Sequence, residues 1–123
     1  MVKFTLYTAD SSGDLSNCIY PNKVLITDEA SLEKAIKFDH VSAEYTDNYR
    51  SNINFIKADN VVLDCDNDHS DDPKEWVTPL EVAMAFPDVA FIVAYSRNHM
   101  KDKGSRSSRP RFHVYFSIPE IKN

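Results

Sequence analysis

Two aspartates near the middle of the chain have the residue type and spacing of a metal site. Asp64 and Asp66 follow a short apolar, β-branched run, which predicts a buried strand rather than a helix. Side chains alternate between the faces of a strand, so both carboxylates would share one face while Val61, Leu63 and Cys65 face a core. A divalent cation such as Mg²⁺ or Mn²⁺ would keep two neighbouring carboxylates ionised. The alternative is an acidic strand end that faces solvent.

Charge is distributed unevenly along the chain. The 123 residues carry a net charge of −5, which argues against a surface that coats nucleic acid. Residues 59–75 nevertheless contain seven acids and one base, whereas residues 97–111 contain six bases and one acid. Together the two segments would suit a metal-bound polyphosphate. The alternative is two solvated charge runs that pair with each other.

Cysteine usage and hydropathy indicate the compartment. Cys18 and Cys65 make neither a disulfide framework nor a metal-binding spacing, which is typical of a reducing environment, and we expect a cytoplasmic protein. The longest apolar run, residues 89–95, is too short to cross a bilayer, so we expect no membrane partner. The length suits one domain, and seven Phe and six Tyr can supply its core.

The first half of the chain predicts elements that close a core. Alternating apolar residues predict strands over residues 2–8 and 24–26. A helix follows, capped by Thr27 or Asp28 and ending near residue 38. Residues 39–58 are polar, and a short helix, a loop and a small strand all fit them. We expect no chemistry from the residues before position 39.

The second half predicts a helix and a β-hairpin around a basic loop. A capping box with Pro79 at the first helical position begins a short helix that ends near residue 86. Residues 89–95 are apolar on both faces and predict a central strand, and residues 111–118 predict its antiparallel partner. The connection, 96–110, has fifteen residues, a length that is uncommon unless the loop binds something or is disordered. We therefore expect an α+β fold, mainly an antiparallel sheet with helices on one face.

The sheet face opposite the helices would collect the polar side chains. The candidates are Asp64 and Asp66 on one strand, Arg111, His113 and Tyr115 on another, and Ser96 and Arg97 at the mouth of the basic loop. Arginine suits bidentate contacts with phosphate. His113 can donate a hydrogen bond to a phosphate oxygen or act as an acid or base near neutral pH, although a lone histidine more often pairs with a local carboxylate.

Three segments now support a resemblance to a family. Residues 62–68 read Val-Leu-Asp-Cys-Asp-Asn-Asp, residues 96–99 read Ser-Arg-Asn-His, and residues 109–116 read Arg-Pro-Arg-Phe-His-Val-Tyr-Phe. Together they resemble the archaeo-eukaryotic primase superfamily, most closely the primase-polymerase-like proteins of phages and integrative mobile elements of Gram-positive bacteria. The resemblance covers about residues 59–118, roughly half the chain. The Asp-x-Asp motif alone is weak, and its combination with Arg-Pro-Arg-x-His is fairly specific.

The resemblance implies an RRM-like primase catalytic core, present in part, with its site on an open sheet face. Asp64 and Asp66 match the first motif, whose carboxylates bind Mg²⁺ or Mn²⁺. His113 matches the histidine of the second motif, which contacts the incoming nucleotide. The second motif often carries Ser where this chain has Arg111. The residues that would bind the nucleotide or its phosphates are Ser96, Arg97, His99, Arg109, Arg111 and His113.

The family's third motif, a further aspartate on a later strand, has no match. Only ten residues follow His113, and Glu120 is the sole acid among them. We therefore expect residues 1–123 to be one primase-like domain that is truncated at its C-terminal end. The longer protein would supply a helicase or a further domain.

The resemblance also implies the reaction and the partners. A nucleoside triphosphate, ribo or deoxy, would be joined to a nucleic-acid 3′ end by two-metal nucleotidyl transfer. A DNA template and primer would be the macromolecular partner. The template would follow the basic loop, with an affinity that falls as salt rises.

Two other metal- or phosphate-binding functions fit parts of the same pattern. Asp64, Asp66, Asp68 and Glu75 fall at ligand positions of an EF-hand calcium loop, but His69 stands where that loop needs glycine. A phosphatase of the haloacid dehalogenase type also places Asp-x-Asp after an apolar strand, but that family usually has Thr or Val where this chain has its third aspartate.

A non-catalytic function is the third alternative. A module that binds single-stranded nucleic acid would stack bases on exposed aromatic side chains. Tyr95, Tyr115 and Trp76 are the candidates, and core packing is expected for two of the three. Binding that does not depend on metal would favour this function over the enzyme.

Overall fold

Two antiparallel sheets and two short α-helices make up the fold. A computed structural model describes residues 2–123. The first sheet contains β1 (Phe4–Thr8), β2 (Asn22–Ile26) and β3 (His40–Val41) in the order β2-β1-β3. The second contains β4 (Ala43–Tyr45), β5 (Phe55–Cys65), β6 (Phe91–Tyr95) and β7 (Phe112–Lys122) in the order β4-β5-β7-β6. The helices are α1 (Glu29–Ala35) and α2 (Pro79–Ala85). The α+β class with mainly antiparallel strands is confirmed.

The first helix begins where its cap predicts and ends early. The Asp28 carboxylate accepts a hydrogen bond from the Ser31 backbone at 2.8 Å, and the Ser31 hydroxyl accepts one from the Asp28 backbone at 3.1 Å. This reciprocal pair satisfies backbone donors that a helix start leaves open. The helix was predicted to reach residue 38, but it ends at Ala35. The chain turns there, with the Phe38 backbone donating to the Ala35 carbonyl at 3.2 Å.

The two helices pack on opposite faces of the second sheet, so the prediction that both lie on one face is wrong. Leu32 of α1 packs in one apolar cluster with Tyr115 of β7. Val82 of α2 packs in another cluster with Phe112 and Val114 of the same strand. Because neighbouring side chains of β7 alternate between faces, these two clusters lie on opposite sides of the sheet.

Strand β6 lies at the edge of its sheet, which corrects its prediction as a central strand. Its residues are apolar because the strand is covered on both faces. Ile92 and Ala94 pack with the α1 cluster, whereas Phe91 and Val93 pack with the α2 cluster. Its only strand partner within residues 2–123 is β7. The apolar run therefore predicted correctly that both faces of the strand are covered, but it could not predict which strands pair with it in the sheet.

The acidic strand is longer and less covered than the sequence indicated. Strand β5 takes up eleven residues and pairs with β7 along most of its length. Val61 and Leu63 do face the side of the sheet that carries α2, but 42% and 39% of their surfaces stay exposed. They line an open apolar groove with Phe116. The expected burial of this strand against a core is thus only partial.

Candidate functional site

Three strand ends meet at one rim of the second sheet and carry the predicted site. Strand β5 ends there, β7 begins there and β6 ends there, because all three run antiparallel to their neighbours. Asp64 lies directly opposite His113 in the β5–β7 register. His113 Nε2 and Asp64 Oδ1 are 3.5 Å apart, and 38% and 67% of the two side chains are exposed. The structure thus brings two of the predicted site residues, Asp64 and His113, together at an exposed rim.

The face of the sheet on which they lie corrects a prediction. Asp64 and His113 share the face of Tyr115, because alternate residues of β7 point the same way. That face carries β1 and α1 rather than being open and opposite the helices. The site therefore occupies the rim of a covered face, where the strands extend beyond the packed layer.

Asp66 lies just beyond the end of β5, in a turn. Its Oδ1 accepts a hydrogen bond from the Asp68 backbone at 2.9 Å. Asn67 between them has φ of 58°, a left-handed conformation that asparagine tolerates better than most residues. Among the described residues, Oδ2 of Asp64 and Oδ2 of Asp66 have no hydrogen-bond or ion-pair partner. Each carboxylate thus keeps an oxygen that could bind a cation.

Arg111 is buried beside Asp66 and Asp68 and is only half satisfied. Its Nη1 donates to the Asp66 carbonyl at 2.9 Å and to Asp68 Oδ1 at 2.7 Å. The residue is 2% exposed, and Nε and Nη2 find no partner in residues 2–123. Leaving a buried charged donor unsatisfied costs about 1–3 kcal/mol. Neither nitrogen is accessible from the surface, so Arg111 holds the acidic turn and does not present these donors to a ligand.

Arg109 serves a different purpose from the one predicted. Its side chain is completely buried and donates five hydrogen bonds, to the carbonyls of Asn67, Ser70 and Ser107, to the Ser107 hydroxyl and to Asp71. Its guanidinium also lies over the Trp76 ring at 5.1 Å from the ring centre. Three of these bonds bind the acidic loop and two lie within its own loop, so the buried guanidinium has no donor left for the predicted phosphate contact.

The acidic and basic segments pair with each other at Asp68. Besides Arg111, Arg106 and Lys103 approach its Oδ2 at 3.6 Å and 3.8 Å. Burial raises the pKa of Asp68, but the hydrogen bond from Arg111 and the three positive charges outweigh it and hold the pKa below its ordinary value. This pairing of two charge runs was the alternative to a polyphosphate site. Lys103 and Arg106 are therefore paired with Asp68 and are not free to bind a ligand.

Asn67 joins the two segments through its side chain. Its amide donates to the carbonyls of Val77 and Pro110 at 2.9 Å and 2.8 Å, and its oxygen accepts from the Val77 backbone at 2.7 Å. The residue is 3% exposed. It therefore fixes the turn that carries Asp66 and Asp68. Sequence reasoning missed this role, although an asparagine between two aspartates is a recognisable turn signal.

His40 is a further member of the site that the sequence did not indicate. Its Nδ1 lies 3.0 Å from the Phe38 carbonyl, which assigns the proton to Nδ1, and its Nε2 accepts from the Tyr115 hydroxyl at 2.8 Å. Burial lowers the pKa of His40, and the nearby His113 lowers it further. Burial, followed by the charge of Asp64, raises the pKa of Tyr115 to about 12. The Tyr115 hydroxyl therefore remains a donor at neutral pH.

The predicted residues of the basic loop have three different environments. The Ser96 backbone donates to the Arg111 carbonyl at 3.0 Å, which holds the ends of β6 and β7 together. His99 Nδ1 accepts from the Arg111 backbone at 3.1 Å, and its ring centre lies 4.3 Å from that of Tyr95. Arg97 is exposed and forms no ion pair within the described chain. Arg97 is thus free to bind a ligand, whereas Ser96 and His99 help to shape the rim.

The third metal carboxylate does not come from Glu120. Its side chain lies at the far end of β7, 3.5 Å from both Lys57 and Lys122. Within residues 2–123 no three His, Cys, Asp or Glu side chains are grouped closely enough to hold a metal ion. Glu120 is therefore too remote to join Asp64 and Asp66 at this rim.

The geometry also argues against the three alternative functions: an EF-hand calcium loop, a phosphatase and a module that stacks nucleic-acid bases. The segment before Asp64 is a strand, whereas an EF-hand loop follows a helix, and Asp68 is held by three bases. The strands pair antiparallel, whereas α/β phosphatase sites lie at the ends of parallel strands. Of the stacking candidates, Tyr115 is 2% exposed and Trp76 is covered by Arg109, which leaves Tyr95 at 57% exposure.

Comparison with known proteins adds no family to this description. No family model, no curated protein and no solved structure matches the chain. Across residues 2–123, neither helix has the length and apolar character needed to traverse a bilayer.

Proposed function

We propose that this chain is a nucleotidyltransferase domain of the primase-polymerase type. In this proposal it binds a nucleoside triphosphate, ribo or deoxy, with Mg²⁺ or Mn²⁺ and joins it to a nucleic-acid 3′ end. One observation supports the proposal most strongly: Asp64 and Asp66 at the end of β5 lie beside Arg111 and His113 at the start of β7. Cation ligands and phosphate ligands thus occupy adjacent strand ends.

The carboxylates fit a hard cation. Asp64 and Asp66 each have an unengaged oxygen, and Mg²⁺ and Mn²⁺ prefer oxygen ligands. Mg²⁺ sites commonly use one or two carboxylates and take their remaining ligands from water and substrate phosphates. A cation bound there would neutralise charge that develops on the phosphates. Two carboxylates therefore suffice for binding a metal–nucleotide complex.

Arg111 and His113 supply the groups for the phosphates. The Arg111 guanidinium is closed off from the surface, so it would act on the phosphates through its positive charge, which is screened little in a buried site. His113 Nε2 can turn from Asp64, 3.5 Å away, to a phosphate oxygen with little loss, because that contact is long. Both residues would stabilise the charge that grows on the phosphates during transfer.

The partners follow from the same proposal. A DNA template and primer would accompany the nucleotide, and a helicase or a further domain would be a partner. No membrane takes part. The alternative is a non-catalytic module for single-stranded nucleic acid, with the carboxylates in a structural role. It has less support because two of its three stacking residues are covered.

Calorimetric titration of ATP and dATP in the presence and absence of Mn²⁺ tests the proposal. The variants are Asp64→Asn/Asp66→Asn and the charge-matched control Asp10→Asn/Asp88→Asn, which changes two exposed aspartates elsewhere. We expect wild type and control to bind only with metal and the site variant to bind at least about tenfold more weakly. Binding of equal strength in the site variant, or no binding by the folded wild type, would contradict the proposal. Primer-extension assays then test transfer itself.

A further inference from the structure

A second cleft opens next to the rim that carries Asp64 and His113. It has a volume of about 370 Å³, and Leu15, Phe38, Asp39, His40, Arg50 and Arg97 are among the residues that line it. A cavity of this size falls in the range of small-molecule sites. Most of these residues come from the first 50 positions, and we expected no chemistry from those before position 39. The cleft lies between the first sheet and the mouth of the basic loop.

Arg50 and Arg97 line this cleft and are free, unlike Arg109 and Arg111. Arg109 and Arg111 are buried among protein partners. Arg50 and Arg97 are exposed, and neither forms an ion pair within residues 2–123. The Arg50 guanidinium lies 5.7 Å from the centre of the Tyr20 ring, a cation–π contact that orients it and leaves its donors open. The available guanidinium groups therefore line the cleft.

The remaining walls are of mixed polarity. Leu15 and Phe38 offer apolar surface that is 99% and 45% exposed. Asp39 and Asp14 bring negative charge, but both oxygens of Asp39 and Oδ1 of Asp14 already accept hydrogen bonds. Asp39 accepts from Ser11 and from the backbone of Gly13 and Asp14, and these bonds hold the pKa of Asp39 below its ordinary value. A plain anion would be repelled at that end and attracted at the arginine end.

This asymmetry fits a nucleotide unit better than a phosphate ion. The phosphate would bind the two guanidinium groups, and the base would lie against Phe38, since every base offers a flat face for stacking on an aromatic ring. Amino and hydroxyl groups of the base and sugar are donors and are compatible with ionised Asp39. Each wall of the cleft then meets a chemically matching part of one ligand.

His40 connects the cleft to the proposed catalytic rim. It lines the cleft, and its Nε2 accepts from the Tyr115 hydroxyl at 2.8 Å. The Tyr115 ring centre lies 6.5 Å from that of His113. The two sites are therefore separated by about one aromatic side chain. That spacing suits neighbouring nucleotide units of one assembly.

We propose that this cleft binds a nucleotide unit of a single-stranded nucleic acid, with its phosphate on Arg50 and Arg97 and its base on Phe38. The inference rests on the proposed function, since it places the strand beside the metal–nucleotide site. It replaces the expected path of the template along the basic loop, because Lys103, Arg106, Arg109 and Arg111 are held by Asp68 and Asp71. Binding to the cleft requires no metal.

Fluorescence anisotropy of a labelled oligodeoxythymidine in EDTA tests this assignment. The variants are Arg50→Gln/Arg97→Gln and Phe38→Leu, and Lys3→Gln/Lys23→Gln is the control, which removes two exposed charges outside the cleft. We expect the arginine pair to weaken binding about tenfold or more and to reduce the slope of log K against log salt by about 0.7, the value for one phosphate contact on a single strand. Phe38→Leu should weaken binding about tenfold with an unchanged slope. The Lys3→Gln/Lys23→Gln control should reduce the slope of log K against log salt by less than the Arg50→Gln/Arg97→Gln variant does.

Competition with thymidine monophosphate tests whether the cleft recognises a nucleotide within a strand or a free mononucleotide. Displacement only by an oligonucleotide supports a strand, whereas equal displacement by the mononucleotide would overturn the strand assignment. Unchanged affinity and an unchanged salt slope in the Arg50→Gln/Arg97→Gln variant would overturn the assignment of this cleft as a nucleotide site. The metal-dependent titration with Asp64→Asn/Asp66→Asn is independent of both results, because the oligonucleotide assay contains no metal. Failure of the cleft and failure of the proposed function are thus distinguishable.

Discussion

Two regions of the molecule contain charged side chains in contrasting environments. One is the junction between the acidic and basic loops, and the other is the rim where β5 and β6 end and β7 begins. At the junction Arg109 is completely buried and all of its donors are engaged. At the rim Asp64 is two-thirds exposed, and its contact with His113 is long. Arg111 links the two regions. Its Nη1 donates to two acceptors in the acidic loop, whereas its Nε and Nη2 have no partner in residues 2–123. Charge type therefore does not distinguish groups that hold the fold from groups that are open to a ligand here, whereas burial together with the engagement of donors and acceptors does.

The largest effect should come from Arg109, the centre of the junction. Arg109→Ala removes five hydrogen bonds and leaves the carbonyls of Asn67 and Ser70 without their donors. We expect the free energy of unfolding in urea to fall by about 3–5 kcal/mol. Asp71→Ala is the matched control, since its side chain is 87% exposed and an exposed partner contributes about 0–1 kcal/mol. Equal losses from both variants would contradict the distinction between buried and exposed partners.

Asn67 should show the next largest effect. Asn67→Gly keeps the left-handed turn accessible but removes three hydrogen bonds to Val77 and Pro110. We expect a loss of about 2–3 kcal/mol in urea unfolding. Metal-dependent nucleotide binding should weaken in addition, because the turn positions Asp66. A variant that loses stability but binds as wild type would show that the junction does not support the rim.

Much of the fold and part of the site could be predicted from the sequence. The alternation of residues 111–118 predicted β7, and the apolar run before Asp64 predicted the end of β5. Those two strands place Asp64 opposite His113. Caps predicted the starts of both helices, because a cap is a local interaction between residues three positions apart.

Long-range partners could not be predicted in the same way. His40 and Tyr115 are 75 positions apart, and no local pattern links them. The role of Arg109 depends on acceptors 38 to 42 positions earlier in the chain. Burial of β6 on both faces was visible, but its edge position depends on strand order, which hydropathy does not encode. Composition identified the charged groups, and only the fold shows which of them are engaged.

A smaller, pH-dependent effect should arise from His40, at the boundary between the cleft and the rim. Burial, followed by the nearby His113, lowers its pKa, while the hydrogen bond to the Phe38 carbonyl and the charge of Asp39 act in the opposite direction. In the unfolded chain the pKa of histidine is about 6.5. Below that pH the unfolded state binds the proton more readily, so stability is full above about pH 6.5 and declines as pH falls towards the lower folded pKa.

His40→Gln isolates this contribution, because glutamine can still accept a hydrogen bond from Tyr115 and does not titrate. Urea unfolding of both proteins between about pH 8 and pH 5 should show a stability difference that changes only below about pH 6.5. The carboxylates titrate in both proteins, and their contributions cancel in the difference. A difference independent of pH would mean that His40 protonates as readily in the folded protein as in the unfolded one.

The smallest effect on stability should come from the rim carboxylates, and it tests the comparison most directly. Asp64→Asn and Asp66→Asn change exposed groups, and asparagine at position 66 can still accept the hydrogen bond from the Asp68 backbone. We expect each to change the free energy of unfolding by no more than about 0.5 kcal/mol, as is usual for surface substitutions. A loss as large as that of Arg109→Ala would make the aspartates structural and remove the contrast between the two regions. A negligible loss combined with weaker metal-dependent nucleotide binding would show that these carboxylates are held for a ligand, because the fold itself gains nothing from their charge.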